Sequence, residues 1–207
     1  MCILLIETSS IDSFVALCMG NKVLTSEALP QKEQSKHLYQ AIKRCLNKEA
    51  LSIKDLDCIH VGNGPGSFTG TRVGVMAAKA LSFACHIPLT ASCSLERFAL
   101  PITGSFTIAV YGKSKGFYIQ KGEKINSKVQ FHGPPFLISK TELQSLNVTN
   151  SSFLSPDAQI LQEHTSNIQW LKTSTDIAFV AERASFLYGK GNLCTHSEVK
   201  TCYLHTP

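Results

Sequence analysis

The sequence predicts an α/β protein in which a unit of mixed sheet with flanking helices occurs twice. Three observations predict it. The chain opens with three short apolar runs joined by tight turns, the pattern of an antiparallel meander. Helical and strand-like segments then alternate, which adds parallel pairings to the same sheet. Near residue 105 the order begins again with three strands.

Residues 2–6 (CILLI) are a short, wholly apolar run and read as a buried strand. Thr8, Ser9, Ser10 and Asp12 form a polar turn, and residues 13–19 and 22–29 flank Gly20-Asn21, a hairpin signal. Residues 34–48 place Leu38, Ile42, Cys45 and Leu46 on one helical face. A strand over 56–62 ends in a glycine-rich turn, and a second helix over 70–86 is stopped by Pro88. A short strand over 88–92 and a short helix over 94–100 lead to Pro101. The second unit starts with strands over 105–111, 116–121 and 124–131, and His132-Gly133-Pro134-Pro135 is expected to break the pattern. A helix over 139–146, a strand over 151–155 and a helix over 175–189 follow, with an irregular tail over 190–207. The expected halves are 1–100 and a degenerate 101–207, with the helix over 175–189 packing back on the first half.

Composition narrows the class. Charged residues make up 17% of the 207-residue chain, against about 25% in an average protein, so the surface is poor in charge and partly covered by a partner. The net charge of +5 comes without a basic run, which argues against a simple RNA-binding module. Eight cysteines form no CxxC pair and sit mostly in apolar contexts, where a free thiol behaves as a small hydrophobe. They read as reduced, so the expected location is the cytoplasm, and the sequons at Asn147 and Asn150 are chance matches. No stretch reaches the roughly 18 apolar residues that a membrane helix needs, and the apolar start is too short for a signal segment.

The most informative stretch runs from Val61 to Gly74, between a strand and a helix. Amide groups at a helix start favour anions. Gly64 and Gly66 permit close approach or positive φ, and Gly66, between Pro65 and the helix cap, is expected to need positive φ. Ser67 and Thr69 add hydroxyls, and Arg72 adds a charge in the first turn. Neither a P-loop nor a dinucleotide fingerprint fits: no lysine follows Gly70, and the third glycine of GxGxxG falls on Ser67 or Thr69. On local chemistry two readings stand, an anion site or a tight capped turn.

The whole string Gly64-Pro-Gly-Ser-Phe-Thr-Gly-Thr-Arg-Val-Gly74 resembles the GPGSFTGxRxG signature of the TsaB (YeaZ) family, the dimerisation subunit of the bacterial machinery that makes threonylcarbamoyladenosine beside the tRNA anticodon. Ile6-Glu7-Thr8-Ser9-Ser10 is similar to that family's opening, Ser13 to Leu17 to its second strand, and Glu33-Gln34-Ser35 to the start of its first helix. The resemblance covers about residues 1–100. It implies an actin-like (ASKHA) fold of two ribonuclease-H-like halves. It also implies a scaffold without catalytic residues, acting with a TsaD-like catalytic paralogue and a TsaE-like ATPase, meeting tRNA through the complex and forming a homodimer alone. The alternative class is an autonomous ATP-binding transferase or kinase working between Glu7–Ser10 and Gly64–Gly70.

No metal is implied on this chain, and no cofactor on the isolated chain; ATP would enter only within the complex. Glu7, Thr8, Ser9, Gly64, Gly66, Ser67, Thr69 and Gly70 are the candidates for a vestigial phosphate site. Four departures bear on it: Glu7 for the family's Asp, Gln34 for His, a missing Asp in the turn Tyr111–Tyr118, and His205 for Arg near the end. The seven histidines show no HxxxH or HExxH spacing, and Gly66–Gly70 only partly imitates a GxSxG elbow.

The second helix has its own signature. At about 100° per residue, Arg72, Lys79, Ser82 and His86 gather in one sector. Gly70, Gly74, Ala77, Ala78, Leu81, Ala84 and Cys85 form a mostly small side suited to a sheet, and Val73, Met76, Ala80 and Phe83 form a bulkier side. That bulkier side is covered either by the first helix or by a partner. The resemblance favours an interface formed with Leu38 and Ile42.

Overall fold

The computed structural model describes residues 1–30, 33–147 and 149–204; His205 lies outside them. Two compact units comprise Met1–Arg97 with Asp176–Cys202, and Phe98–Thr175 with Tyr203 and Leu204.

In the first unit, β1 (Cys2–Glu7), β2 (Phe14–Met19) and β3 (Lys22–Ala28) form an antiparallel meander, followed by α1 (Gln34–Lys48), β4 (Cys58–Gly62), α2 (Phe68–Cys85) and β5 (Leu89–Ser92). The sheet order is β3-β2-β1-β4-β5, with β4 parallel to both β1 and β5. Every residue of β1 is buried. Side chains alternate across a strand, so Cys2, Leu4 and Ile6 enter the core beneath α1 and α2. Ile3 and Leu5 enter a second core with Val180, Ala181 and Ala184 of the last helix, α5 (Ile177–Gly189). A strand covered on both faces must be apolar throughout, which is why residues 2–6 show no polar alternation. Cys2, Cys18, Cys45 and Cys58 serve this core as buried free thiols. Burial raises the Cys18 thiol to about 12.

The second unit repeats the topology. Strands β6 (Gly104–Tyr111), β7 (Phe117–Ile125) and β8 (Lys128–Ile138) form the meander, then α3 (Lys140–Gln144), β9 (Ser151–Ser155), α4 (Ala158–His164) and β10 (Trp170–Lys172) follow. The order β10-β9-β6-β7-β8 is that of the first sheet, each strand in its corresponding place, with β9 parallel to β6 and β10.

The expected break at His132–Pro135 does not occur, since β8 runs straight through it. β8 is an edge strand, where a proline's missing N–H interrupts no ladder. Its pairing with β7 shifts register between Ile119 and Lys121 as it passes this stretch. The sequence pattern also missed α4 and β10, which are seven and three residues long, too short to show a period. Among the described residues no helix is long and apolar enough to cross a membrane.

Candidate functional site

The chain between β4 and α2 lies against the turn that leaves β1. The Gly64–Pro65 peptide bond is cis, and Gly64 has φ of 96°. Ser67 N–H donates to Ser9 O at 2.7 Å, and the Thr8 hydroxyl donates to Gly70 O at 2.7 Å. Gly66 is not among the positive-φ glycines, which corrects the expectation for it. Space is the constraint there instead: a β-carbon on Gly66 would overlap Ser9 O, and one on Gly70 would overlap Thr8 O. The same crowding recurs at Gly62 against Glu7 Oε2 and at Gly74 against Thr8 Oγ1.

The predicted phosphate residues are therefore brought together, and several of their polar groups bond within the junction. Glu7, Thr8 and Ser9 are buried, and Glu7 Oε1 accepts Ser9 N–H at 2.7 Å. Gly64 N–H donates to Ser94 Oγ at 2.9 Å, and Ser67 Oγ caps α2 by accepting Gly70 N–H at 3.2 Å. Thr69 is exposed. Gln34, where the resembled family has His, donates from Nε2 to Ser13 Oγ at 2.7 Å and so ties the start of α1 to the same turn.

Two buried polar residues are not singled out by the sequence reading. Arg97 is 5% exposed and donates from Nη1 to Ser94 O at 2.6 Å and to Ser9 Oγ at 3.3 Å. Its one local cue is the Ser94/Arg97 spacing of a 3-10 turn. His60, in the middle of β4, is buried between Thr90 Oγ1 at 2.9 Å and Ser92 Oγ at 3.2 Å. Alternate hydroxyls on β5 are the cue for it. Burial, with a smaller contribution from the Arg183 charge, pushes His60 down to about 3. Nearby, Arg183 of α5 donates from Nε to Glu96 Oε2 at 2.7 Å, and burial holds the Glu96 carboxyl above its ordinary range.

The outward face of α2 is the other candidate. Phe68, Met76 and Phe83 are 51%, 62% and 65% exposed, and Ala80 is exposed beside them. The Arg72 guanidinium lies 3.6 Å from the centre of the Phe68 ring. Val73 is half-buried and packs on the core. Leu38 and Ile42, expected at an interface, are each 3% exposed and belong to the core under α1; α1 turns that apolar stripe to the sheet, so these two offer no surface. Ser82, expected in the polar sector of α2, is buried, whereas Ala84 is exposed. The inward face is Gly70, Thr71, Gly74, Val75, Ala78 and Ser82, because the closest approach to β1 is made at Gly70 and Gly74.

The paired α/β units of identical strand order define a protein of the duplicated actin-like class. The model of the family described as TsaD, tRNA N6-adenosine threonylcarbamoyltransferase, matches residues 23–200. The threonylcarbamoyladenosine biosynthesis protein TsaB of Bacillus subtilis is 37% identical over 100 residues, covering 48% of this chain and 44% of that protein. The tRNA N6-adenosine threonylcarbamoyltransferase of Anaplasma marginale is 34% identical over 114 residues, covering 48% of this chain and 33% of that protein. Each match thus spans less than half of the relative's length. The solved structure of YeaZ from Pseudomonas aeruginosa has the same fold, with a TM-score of 0.79 at 17% identity over 98% of this chain and 99% of that one. This chain belongs to the TsaD family, and among the curated relatives it is similar to TsaB over its first half.

Two outcomes follow from the geometry. Gly66→Val forces a branched side chain into Ser9 O, and overpacking of this kind costs about 1–3 kcal/mol, so the thermal midpoint falls by about 2–12 °C. An unchanged midpoint in a thermal melt would mean that the loop yields and the packing account is wrong. The second outcome concerns pH. An unfolded histidine titrates near 6.5, and folded His60 near 3. Between these values the unfolded chain takes up a proton that the folded chain refuses. Stability is therefore complete above 6.5 and drains as pH falls, by about 1.4 kcal/mol per unit, or about 2 kcal/mol at pH 5. Glu96, whose carboxyl is raised, works in the opposite sense in both wild type and variant. Urea unfolding of His60→Gln at pH 7.5 and pH 5 is expected to lose the wild type's His60 contribution; equal slopes in the two proteins would contradict the assignment.

Proposed function

We propose that this chain is a non-catalytic scaffold subunit in the biosynthesis of threonylcarbamoyladenosine in tRNA. In this reading it joins a TsaD-like catalytic chain through the outward face of α2. A TsaE-like ATPase and the tRNA enter through the resulting complex, and the isolated chain pairs with a second copy through the same face.

The observation that carries the reading is the exposure of Phe68, Met76 and Phe83 on one side of one helix. Contiguous exposed apolar side chains of this size mark interaction surfaces, and Arg72 stacked on Phe68 adds an arginine–aromatic pair of the kind that anchors interfaces. The glycine-rich loop supports the non-catalytic side of the proposal. Three amide donors of the loop, those of Gly64, Ser67 and Gly70, are engaged within the junction by Ser94 Oγ, Ser9 O and Ser67 Oγ. That geometry counts against the alternative, an autonomous ATP-dependent transferase in the cleft between Glu7–Ser10 and Gly64–Gly70. In this reading the loop is a packing device that fixes where α2 begins.

Met76→Glu and Phe83→Glu test it. Both side chains are more than half exposed, so the monomer is expected to keep its fold, with stability changed by no more than about 0.5 kcal/mol. A carboxylate in a packed interface loses its water without gaining a partner, which weakens association by about a thousandfold. Sedimentation velocity, alone and with a TsaD-type protein, reads association, and circular dichroism reads folding. Folded variants that still associate would move the contact to another face.

A further inference from the structure

The two helices that cover the first core share one sign of charge. α1 carries Lys36, Lys43, Arg44 and Lys48, α2 carries Arg72 and Lys79, and neither helix contains an Asp or Glu. The acids beside them lie outside both helices. Glu33 pairs with Lys36, Glu27 of β3 accepts Arg44 Nε at 2.7 Å and Lys48 Nζ at 3.1 Å, and Glu49 follows the last turn of α1. On the tail next to Lys79, Glu198 and Lys200 offset one another. Among the described residues, the outer layer of the unit thus holds three cations more than it holds acids.

Depth separates the two signs further. The Glu27 side chain is 13% exposed, while the Arg44 and Lys48 side chains that cover it are 52% and 55% exposed. An approaching surface therefore meets the cations before the acid. Lys36 and Lys43 are exposed as well. Lys79 Nζ donates to Val199 O at 3.2 Å, a carbonyl that takes a hydrogen bond and leaves the charge in place. These cations border the apolar side chains Phe68, Met76 and Phe83. A charged rim around an apolar centre is the anatomy of a protein–protein interface, and the rim sets which partner is accepted.

We propose that this charge makes the face select an acidic partner protein over a second copy of the chain, an inference that rests on the reading of α2's outward side as an interface. Two copies that meet through one face present identical patches to each other. Excess cation then faces excess cation, and the pairing is opposed. A chain whose matching face sets Asp and Glu around an apolar centre turns the same charges into attraction. Salt screens repulsion and attraction alike. The two pairings therefore respond to salt in opposite directions.

The test is sedimentation velocity on the full chain, alone and with a TsaD-type protein, at about 0.01 M and about 0.15 M salt, where the screening length is about 30 Å and about 8 Å. Added salt is expected to tighten the pairing of copies by about threefold and to weaken pairing with the TsaD-type protein by about tenfold. Lys43→Glu changes an exposed side chain and cuts the excess from three to one. At low salt it is expected to move the two pairings apart, tightening the copies and weakening the TsaD-type complex, each by about fivefold. Damage to the helix would weaken both, so the opposed signs separate charge from structure. Pairings that move the same way with salt, or that ignore Lys43→Glu, would overturn the selection by charge; loss of both with Met76→Glu in the same experiment would leave the interface itself standing. Pairings that survive Met76→Glu would remove the interface and this inference with it. Absence of a complex with the TsaD-type protein at low salt would overturn the inference, as would its displacement by single-stranded oligo(A) RNA, which would assign the face to nucleic acid.

Discussion

The contact between the turn after β1 and the loop after β4, made by Ser67 N–H on Ser9 O and by the Thr8 hydroxyl on Gly70 O, decides the direction in which α2 leaves the sheet. β1 is the middle strand of its sheet, and Glu7, Thr8 and Ser9 at its end are buried. A second chain segment can cross there only if it carries no side chains on the facing side. Gly62, Gly66, Gly70 and Gly74 recur at every fourth position, and each would overlap Glu7, Thr8 or Ser9 if given a β-carbon. The recurring glycines are thus a steric requirement. Once α2 is seated at Gly70 and Gly74, its rotation is set, and Met76 and Phe83 are left facing away from the core.

The same enclosure explains the character of the buried polar groups. Near the β1 end, Arg97 satisfies Ser9 and Ser94, and Glu96 is held by Arg183 of α5. His60 stands neutral between two hydroxyls of the neighbouring strand. Each group is buried with a partner, as the cost of desolvating an unpaired polar atom requires. Such groups discriminate between registers. A one-residue slip of β4 against β5 would exchange the faces of His60 and its apolar neighbours, so the His60–Thr90–Ser92 cluster fixes the pairing that an apolar strand alone leaves open.

The elements of the first unit were legible because long periodic segments and strongly apolar strands announce themselves: α1 is found at 34–48 and β1 at 2–7. The resemblance at Gly64–Gly74 reached the correct family and fold. The failures have physical causes. Pro134 and Pro135 mislead because a proline rule for central strands does not bind an edge strand. Gly66 misleads because a sequence cannot tell a glycine needed for its φ from one needed for its missing side chain. Leu38 and Ile42 form a genuine apolar stripe, but periodicity alone does not say whether a stripe faces its own sheet or a partner; burial says it faces the sheet. Arg97 and His60 were invisible because their partners are supplied by the fold.

The two units carry one strand order with very unequal helices. α1 and α2 have 15 and 18 residues, and their counterparts α3 and α4 have five and seven. The sheet order persists because three antiparallel strands followed by two parallel crossovers make the same strand pairings with short or long helices alike. Helix length is then free to follow use. A long α2 leaves Phe68, Met76 and Phe83 exposed along one side. The short α3 and α4 leave the β6–β7 turn open, and a hollow walled by Tyr111, Phe117 and His164 remains beside it. One topology therefore yields an exposed apolar face in the first unit and a basic, aromatic hollow in the second, and the difference comes from how far the helices cover each sheet.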